Sequence, residues 1–190
     1  SGEMDPSYNK AISTLTAAIA MDSDNAELYF DRGNYKFDND QILTAMADLN
    51  KAVALAPMNA EYLAKRGLVR FMIEDFDASL TDYTQAIELD PKNANFYTYR
   101  GKTKHNMGNY NSAYNDYTYA IELLIYTIRS RPDQISFDDP LNKQLADVLV
   151  LRGVALAQEN KPYDACIDFD RAYQLGAQKA RNYIRRYCSN

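Results

Sequence analysis

The dipeptide Arg-Gly recurs at Arg32-Gly33, Arg66-Gly67, Arg100-Gly101 and Arg152-Gly153. The first three pairs are 34 residues apart; the fourth is displaced by 52, which is 34 plus an insertion of 18. A fixed period of this length marks a repeat array, in which one unit cannot bury its apolar face alone and must stack on copies of itself. Alignment on the pair places repeats at 26–59, 60–93, 94–127 and 146–179. Other positions then fall into register. Sixteen residues after each Arg stands Asp48, Asp82, Asp116 or Asp168. Twelve after each Gly stands a small residue, Ala45, Ser79, Ala113 or Ala165, and further on come Ala52, Ala86, Ala120 and Ala172.

Each unit reads as two helices. The first starts at an Asn cap (Asn25, Asn59, Asn93), runs through the Arg-Gly pair and ends in a polar break. Those breaks are Asp38-Asn39-Asp40, Glu74-Asp75, Met107-Gly108-Asn109 and Glu159-Asn160-Lys161. The second helix carries apolar residues at helical spacing, as in Ala45, Leu49, Ala52 and Val53, and stops near Pro57 or Pro91. A Gly on the first helix facing Ala or Ser on the second lets the two backbones approach closely.

A 34-residue helix–turn–helix unit with Gly at the eighth place, Ala at the twentieth and twenty-seventh, and Pro at the thirty-second resembles the tetratricopeptide repeat. The resemblance covers four full units and extends to both ends. Residues 5–25 match a capping second helix, with Ala11, Leu15 and Ala18 in register and Asp5-Pro6 as cap and first turn. Residues 180–190 match the start of a further first helix, with Tyr187 where Gly belongs. The resemblance implies an all-α, right-handed superhelical solenoid of antiparallel helix pairs, a single domain over 1–190.

The chain departs from the family in one way. The residue before the Gly is commonly Leu in such repeats, yet here it is Arg32, Arg66, Arg100 and Arg152. Paired with Asp48, Asp82, Asp116 and Asp168 on the adjacent helix, these predict a repeated structural ion pair, within a unit or between neighbours. The insertion at 128–145 breaks the period. It predicts a prolonged second helix in the third unit, a turn at Arg131-Pro132-Asp133, a loop carrying Ile135 and Phe137, and a fresh start near Pro140. Either that loop is a binding element or it is a longer hairpin with Phe137 packed on its own helices.

Composition removes most other functions. The net charge is −5 with an isoelectric point near 4.9, against the basic surface that nucleic acid demands. No apolar run approaches the length of a membrane span. No secretory leader is evident, an absence of little weight because Ser1-Gly2 reads as a cloning remnant. The compartment therefore stays open between cytoplasm and periplasm, and an Asn- and Tyr-rich composition leans bacterial. One His and two Cys exclude Cys/His zinc modules and a disulfide scaffold. Cys166, beside the small Ala165, reads as an inert core thiol, and a bridge to Cys188 as the minor alternative. His105 alone cannot supply a catalytic constellation. No cofactor, metal or enzymatic activity is expected.

What remains is surface, and here the resemblance implies a concave groove lined by first helices. It places Phe30, Asn34 and Phe37, then Leu68, Phe71 and Met72, then Lys102 and His105 on that face. The carboxylate clamp known in some family members would need cations that Phe30, Leu68, Asn95 and Tyr99 do not provide; of its residues only Asn34 agrees. The expected function is a non-catalytic scaffold binding a protein segment or helix, with Phe30, Phe37, Leu68, Phe71 and Met72 as anchors and Asn34 and Lys102 as polar guides. The Phe rings either reach solvent or pack between neighbouring first helices. Of sixteen Tyr, Tyr29, Tyr83, Tyr97 and Tyr117 read as core, whereas Tyr62, Tyr99, Tyr114 and Tyr119 read as more exposed. Alternatives are a self-association module forming a homodimer through the insertion or the segment 181–188, and the repeat segment of a larger multidomain protein.

Overall fold

The computed structural model describes residues 6–131 and 139–188, and within these every regular element is a helix. In order they are α1 (Pro6–Met21), α2 (Ala26–Asp38), α3 (Ile42–Leu55), α4 (Ala60–Met72), α5 (Phe76–Leu89), α6 (Ala94–Asn106), α7 (Tyr110–Arg129), α8 (Pro140–Gln158), α9 (Pro162–Gln174) and α10 (Ala180–Tyr187). They divide into two compact units, Ser1–Pro91 and Lys92–Asn190.

Helix starts follow the chemistry of orphan amides. Asn25 accepts from the amide of Leu28, Asn59 from those of Glu61 and Tyr62, Asn93 from that of Asn95, and Asp139 from that of Leu141. Pro140 follows Asp139 as the first helical residue, where its missing N–H is no loss. After the first helix of each pair the chain reverses through one residue in the left-handed region, at Asp40, Glu74, Gly108 and Asn160, with φ of 61°, 62°, 79° and 58°. The amides that follow close the turn: Gln41 donates to the Lys36 carbonyl, Asp75 to Arg70 and Asn109 to Lys104.

In the first unit α2 packs on α3, α4 on α5, α1 on α2 and α3 on α4. In the second, α6 packs on α7, α8 on α9, α7 on α8 and α9 on α10. Ala45, Ser79, Ala113 and Ala165 are fully buried, as are Ala52, Ala86, Ala120 and Ala172. The helix pair is tightest at the Gly, yet what the Gly faces differs from the expected Ala or Ser. A Cβ on Gly33 would meet Leu49, and on Gly67 it would meet Asp82 and Tyr83. On Gly101 it would come within 2.6 Å of the Tyr117 ring, and on Gly153 within 2.6 Å of the Phe169 ring. The missing side chain thus makes room for a large core residue across the pair. The small residue serves differently: Ser79 Oγ donates to the Gly67 carbonyl at 2.9 Å.

Helix α7 runs on to Arg129 and α8 begins at Pro140. The expected loop with Ile135 and Phe137 lies outside the described residues. At the C-terminus, α10 closes the last pair. Tyr183 stacks on Phe169 with centroids 5.1 Å apart, and Tyr187 lies at 6.1 Å. Tyr187 stands at the register position of the repeated Gly, and α10 has no second helix after it among the described residues. A large ring there can therefore cover Phe169 where a packed pair would need Gly.

The reading of Cys166 as an inert thiol is corrected. Cys166 and Cys188 form a disulfide, with Cα atoms 5.7 Å apart and 22 residues of separation. Spacing along the chain could not show this, because it depends on α10 folding back across α9.

Candidate functional site

The Arg of each repeat meets the Asp of its own unit. Arg32 Nε and Nη2 donate to the two oxygens of Asp48 at 2.8 and 2.6 Å, and the same fork joins Arg66 to Asp82, Arg100 to Asp116 and Arg152 to Asp168. The carboxylates are buried, that of Asp82 completely. Each of the first three accepts a further cation one helical turn after the Arg: Lys36, Arg70 and Lys104. In the fourth unit that place is Leu156. Sequence reasoning missed these three cations, although their recurrence at the 34-residue period was a signal that could have found them. Such pairs orient helices and leave no oxygen for a ligand.

On the first-helix face of the first unit, Phe30 is not an exposed anchor. It is 9% exposed and stacks on Tyr62 of the next first helix, centroids 4.4 Å apart. Tyr62, expected at the surface, is buried with it; burial and then Glu27, Asp31 and Glu61 raise its phenol above the usual value. Phe37 is half-buried beneath Lys65, whose Nζ lies 4.5 Å from the ring centroid, a partner not foreseen. Burial pushes the Lys65 ammonium downward, and Asp38 acts against that shift. Phe71 is half-buried and tilted against Phe76 at 5.8 Å. Leu68 is partly exposed, while Met72 is 57% exposed beside an exposed Ile73. Asn34 carries a buried Oδ1 that has no hydrogen-bond partner.

On the corresponding face of the second unit, Lys102 reaches back over Tyr99, its Nζ 4.4 Å from the ring centroid. His105 packs edge-on against Tyr110 with centroids 4.9 Å apart. Its Nδ1 is buried without a hydrogen-bond partner, and burial lowers its affinity for a proton. Tyr114 and Tyr99 are half-buried and Tyr119 is exposed. Among the described residues no group of three or more His, Cys, Asp or Glu could hold a metal, and no helix is long and apolar enough to cross a membrane.

The sequence pattern of the TPR repeat matches residues 73–108. Among solved structures, a crystal structure of MamA superposes with a TM-score of 0.75 at 22% identity, covering 92% of this chain and 91% of that one. The fold is that of the tetratricopeptide repeats. YrrB, described as a TPR protein with an unusual peptide-binding site, has a TM-score of 0.73 at 18% identity, with 95% and 84% covered. MamA from Desulfovibrio magneticus RS-1 has a TM-score of 0.75 at 14% identity, with 90% and 86% covered. No curated protein matches the chain.

As a tetratricopeptide fold, the chain presents first helices on one side of each pair and second helices on the other. Lys65, over the Phe37 ring in the first unit, and Lys179, paired with Asp147 in the second, were the side chains overlooked. Each matters through a neighbour on another helix, which a position-by-position reading of one unit does not weigh.

Proposed function

We propose that the chain is a non-catalytic scaffold that binds a segment of another protein along the first-helix face of its repeats. The observation that carries this reading is Met72, 57% exposed beside an exposed Ile73 at the end of a first helix. Phe37, Leu68 and Phe71 are partly open on first helices of the same unit and would add apolar contact. Asn34, half-buried on α2, would supply a polar contact to an extended segment through its side-chain amide. Tetratricopeptide folds support this use, and YrrB is described as having a peptide-binding site. Phe30 contributes by holding α2 against α4 through Tyr62.

Self-association through the segment 181–188 is less well supported. Tyr183, Ile184, Tyr187 and Cys188 of that segment pack against Phe169 and its neighbours, so their apolar surface is already engaged.

Selection of displayed random peptides on the wild-type chain, rescored on Asn34→Ala and Met72→Glu, tests the proposal. Met72 is exposed, so its substitution leaves the core intact. Selected peptides should lose about tenfold or more in affinity on either variant, on the scale of one lost buried hydrogen bond or apolar contact. Peptides that bind wild type and both variants equally would place the site elsewhere.

A further inference from the structure

The two cysteines of the chain, Cys166 and Cys188, are joined to each other, and the bridge ties the end of α10 to α9. The other ties are few. Helix α10 has eight residues, Ala180–Tyr187, and a helix that short is marginal in water, so it persists only while packed. Its inward side carries Tyr183, Ile184 and Tyr187, which pack with Cys188 against Phe169. Its outward side is cationic, with Arg181, Arg185 and Arg186 exposed. The ion pair at its start, Lys179 to Asp147 of α8, is about half exposed on both sides and holds weakly.

The connector from α9 has room to turn. Gly176 takes φ of 93°, a conformation that a residue with a Cβ avoids. Residues 175–179 form one wall of a cavity of about 510 Å³ whose other wall is Lys143, Ala146 and Asp147 of α8. That space lets the connector rotate without displacing core side chains. Tyr183 links this end to the rest of the unit. It stacks on Phe169 at 5.1 Å, and it also lines a cavity of about 190 Å³ together with Lys102 and His105 of α6 and Val150 and Val154 of α8. When α10 leaves, that cavity loses one wall and the fully buried Phe169 loses its cover.

We propose that the Cys166–Cys188 bridge is a redox switch. Oxidised, it holds α10 closed as one wall of the cavity between α6 and α8; reduced by a dithiol, it lets α10 swing out on Gly176 and opens that face. Both cysteines are partly exposed, so the bridge is open to attack. The step is thiol–disulfide exchange. One thiolate of the dithiol attacks Cys166 Sγ, the S–S bond breaks, and Cys188 leaves as a thiolate. Arg185 and Arg186 stand three and two residues before Cys188, with Arg186 over the Tyr187 ring at 5.3 Å, and cations there make Cys188 the better leaving group. The second thiol of the dithiol then displaces Cys166 from the mixed disulfide. The dithiol is oxidised by two electrons to its own disulfide, and its two protons end on Cys166 and Cys188. The switch stands on the second unit alone and not on the scaffold reading, whose test uses Asn34 and Met72 of the first unit.

The chain has one His, so His105 gives a single set of imidazole NMR resonances, a probe in a cavity whose lining includes neither cysteine. The intact chain is poised at a series of reduced-to-oxidised dithiothreitol ratios at fixed pH, and His105 and amide exchange are followed in the same samples. On reduction, exchange over residues 180–187 should rise about a hundredfold or more, as expected when a closure of 22 residues is undone. Exchange in the middle of α8 and α9 should change less than about threefold, as for a local opening. The His105 resonances should shift with the same midpoint, and oxidised dithiothreitol should restore both signals. Cys188→Ser removes the bridge without a reductant and should show the reduced His105 spectrum at every ratio; the oxidised spectrum in that variant would overturn the switch. A His105 spectrum that ignores reduction of the wild-type chain would also overturn it, leaving only a local staple. So would a bridge that dithiothreitol leaves intact in the folded chain. Loss of amide protection across the whole second unit on reduction would do the same, because α10 would then be part of the fold and not a moving wall.

Discussion

Arg66 and Asp82, sixteen residues apart, form a two-pronged ion pair inside one helix pair, Nε to Oδ2 at 3.0 Å and Nη2 to Oδ1 at 2.6 Å. Arg70 reaches the same fully buried carboxylate at 2.8 Å. Removing Asp82 strands two guanidinium groups against the core. Asp82→Ala is expected to cost about 3–5 kcal/mol, the range for breaking a buried pair from one side. Asp168→Ala should cost less, because Asp168 pairs with Arg152 and Leu156 stands where the second cation would be. Urea unfolding of the two variants measures the difference; equal losses would refute the role given to the second cation.

Gly101 and Gly33 occupy one repeat position but tolerate a methyl group unequally. A Cβ on Gly101 would sit 2.6 Å from the ring of the fully buried Tyr117, whereas on Gly33 the nearest atom is Leu49 Cγ at 3.1 Å. Gly101→Ala should destabilise by about 1–3 kcal/mol through overpacking. Gly33→Ala should come out near neutral, because Ala gains up to about 1 kcal/mol of helix propensity over Gly. Thermal unfolding of both variants checks the ranking.

Glu74 adopts φ of 62° in the same turn position that Gly108 fills at 79°. A left-handed residue with a Cβ costs about 1–2 kcal/mol, a cost Gly avoids. Glu74→Gly should therefore raise the melting temperature, and Gly108→Ala should lower it even though open space surrounds Gly108. A rise in both variants would show that the turn does not govern stability here.

Burial depresses the His105 pKa below its ordinary value of 6.5. Above that value the imidazole is neutral in both states, and pH has no leverage through it. As pH falls below 6.5 the unfolded chain takes up the proton first, so stability declines until the folded pKa is also passed. Between about pH 7.5 and about pH 5.5 the melting temperature should drop, and less so in His105→Gln. An identical drop in the variant would assign the effect to other groups.

The Cys166–Cys188 bridge closes a loop of 22 residues. By chain entropy such a closure is worth about 3 kcal/mol. Reduction, or Cys166→Ala with Cys188→Ala, should free α10 first, exposing Tyr183 and Tyr187 and speeding amide exchange over residues 180–187 before the rest of the unit responds. Because Lys179 and Tyr183 line the cavity of about 190 Å³ in the second unit together with Lys102 and His105, its shape should loosen at the same time. Uniform exchange in the oxidised and reduced forms would count against the bridge as a staple.

Much of the fold is legible in the amino-acid sequence. The 34-residue period, the Asn caps and the turn breaks define helix pairs because each is a local instruction repeated until chance is excluded. A recurring position must meet a recurring environment, so the period alone assigns the Arg and Asp columns to adjacent helices. Where sequence reasoning falls short, the deciding neighbour is on another element. The tertiary structure closes each Arg–Asp pair within its own unit, and it buries Phe30 on Tyr62. It also sets the Gly column against large core side chains, joins Cys166 to Cys188, and brings Lys102, His105 and Tyr117 to one cavity with Lys179. Period and pattern act through residues three or four apart on one helix. Stacking, bridging and cavity formation depend on how separate helices are rotated against each other, and only the packed chain determines that.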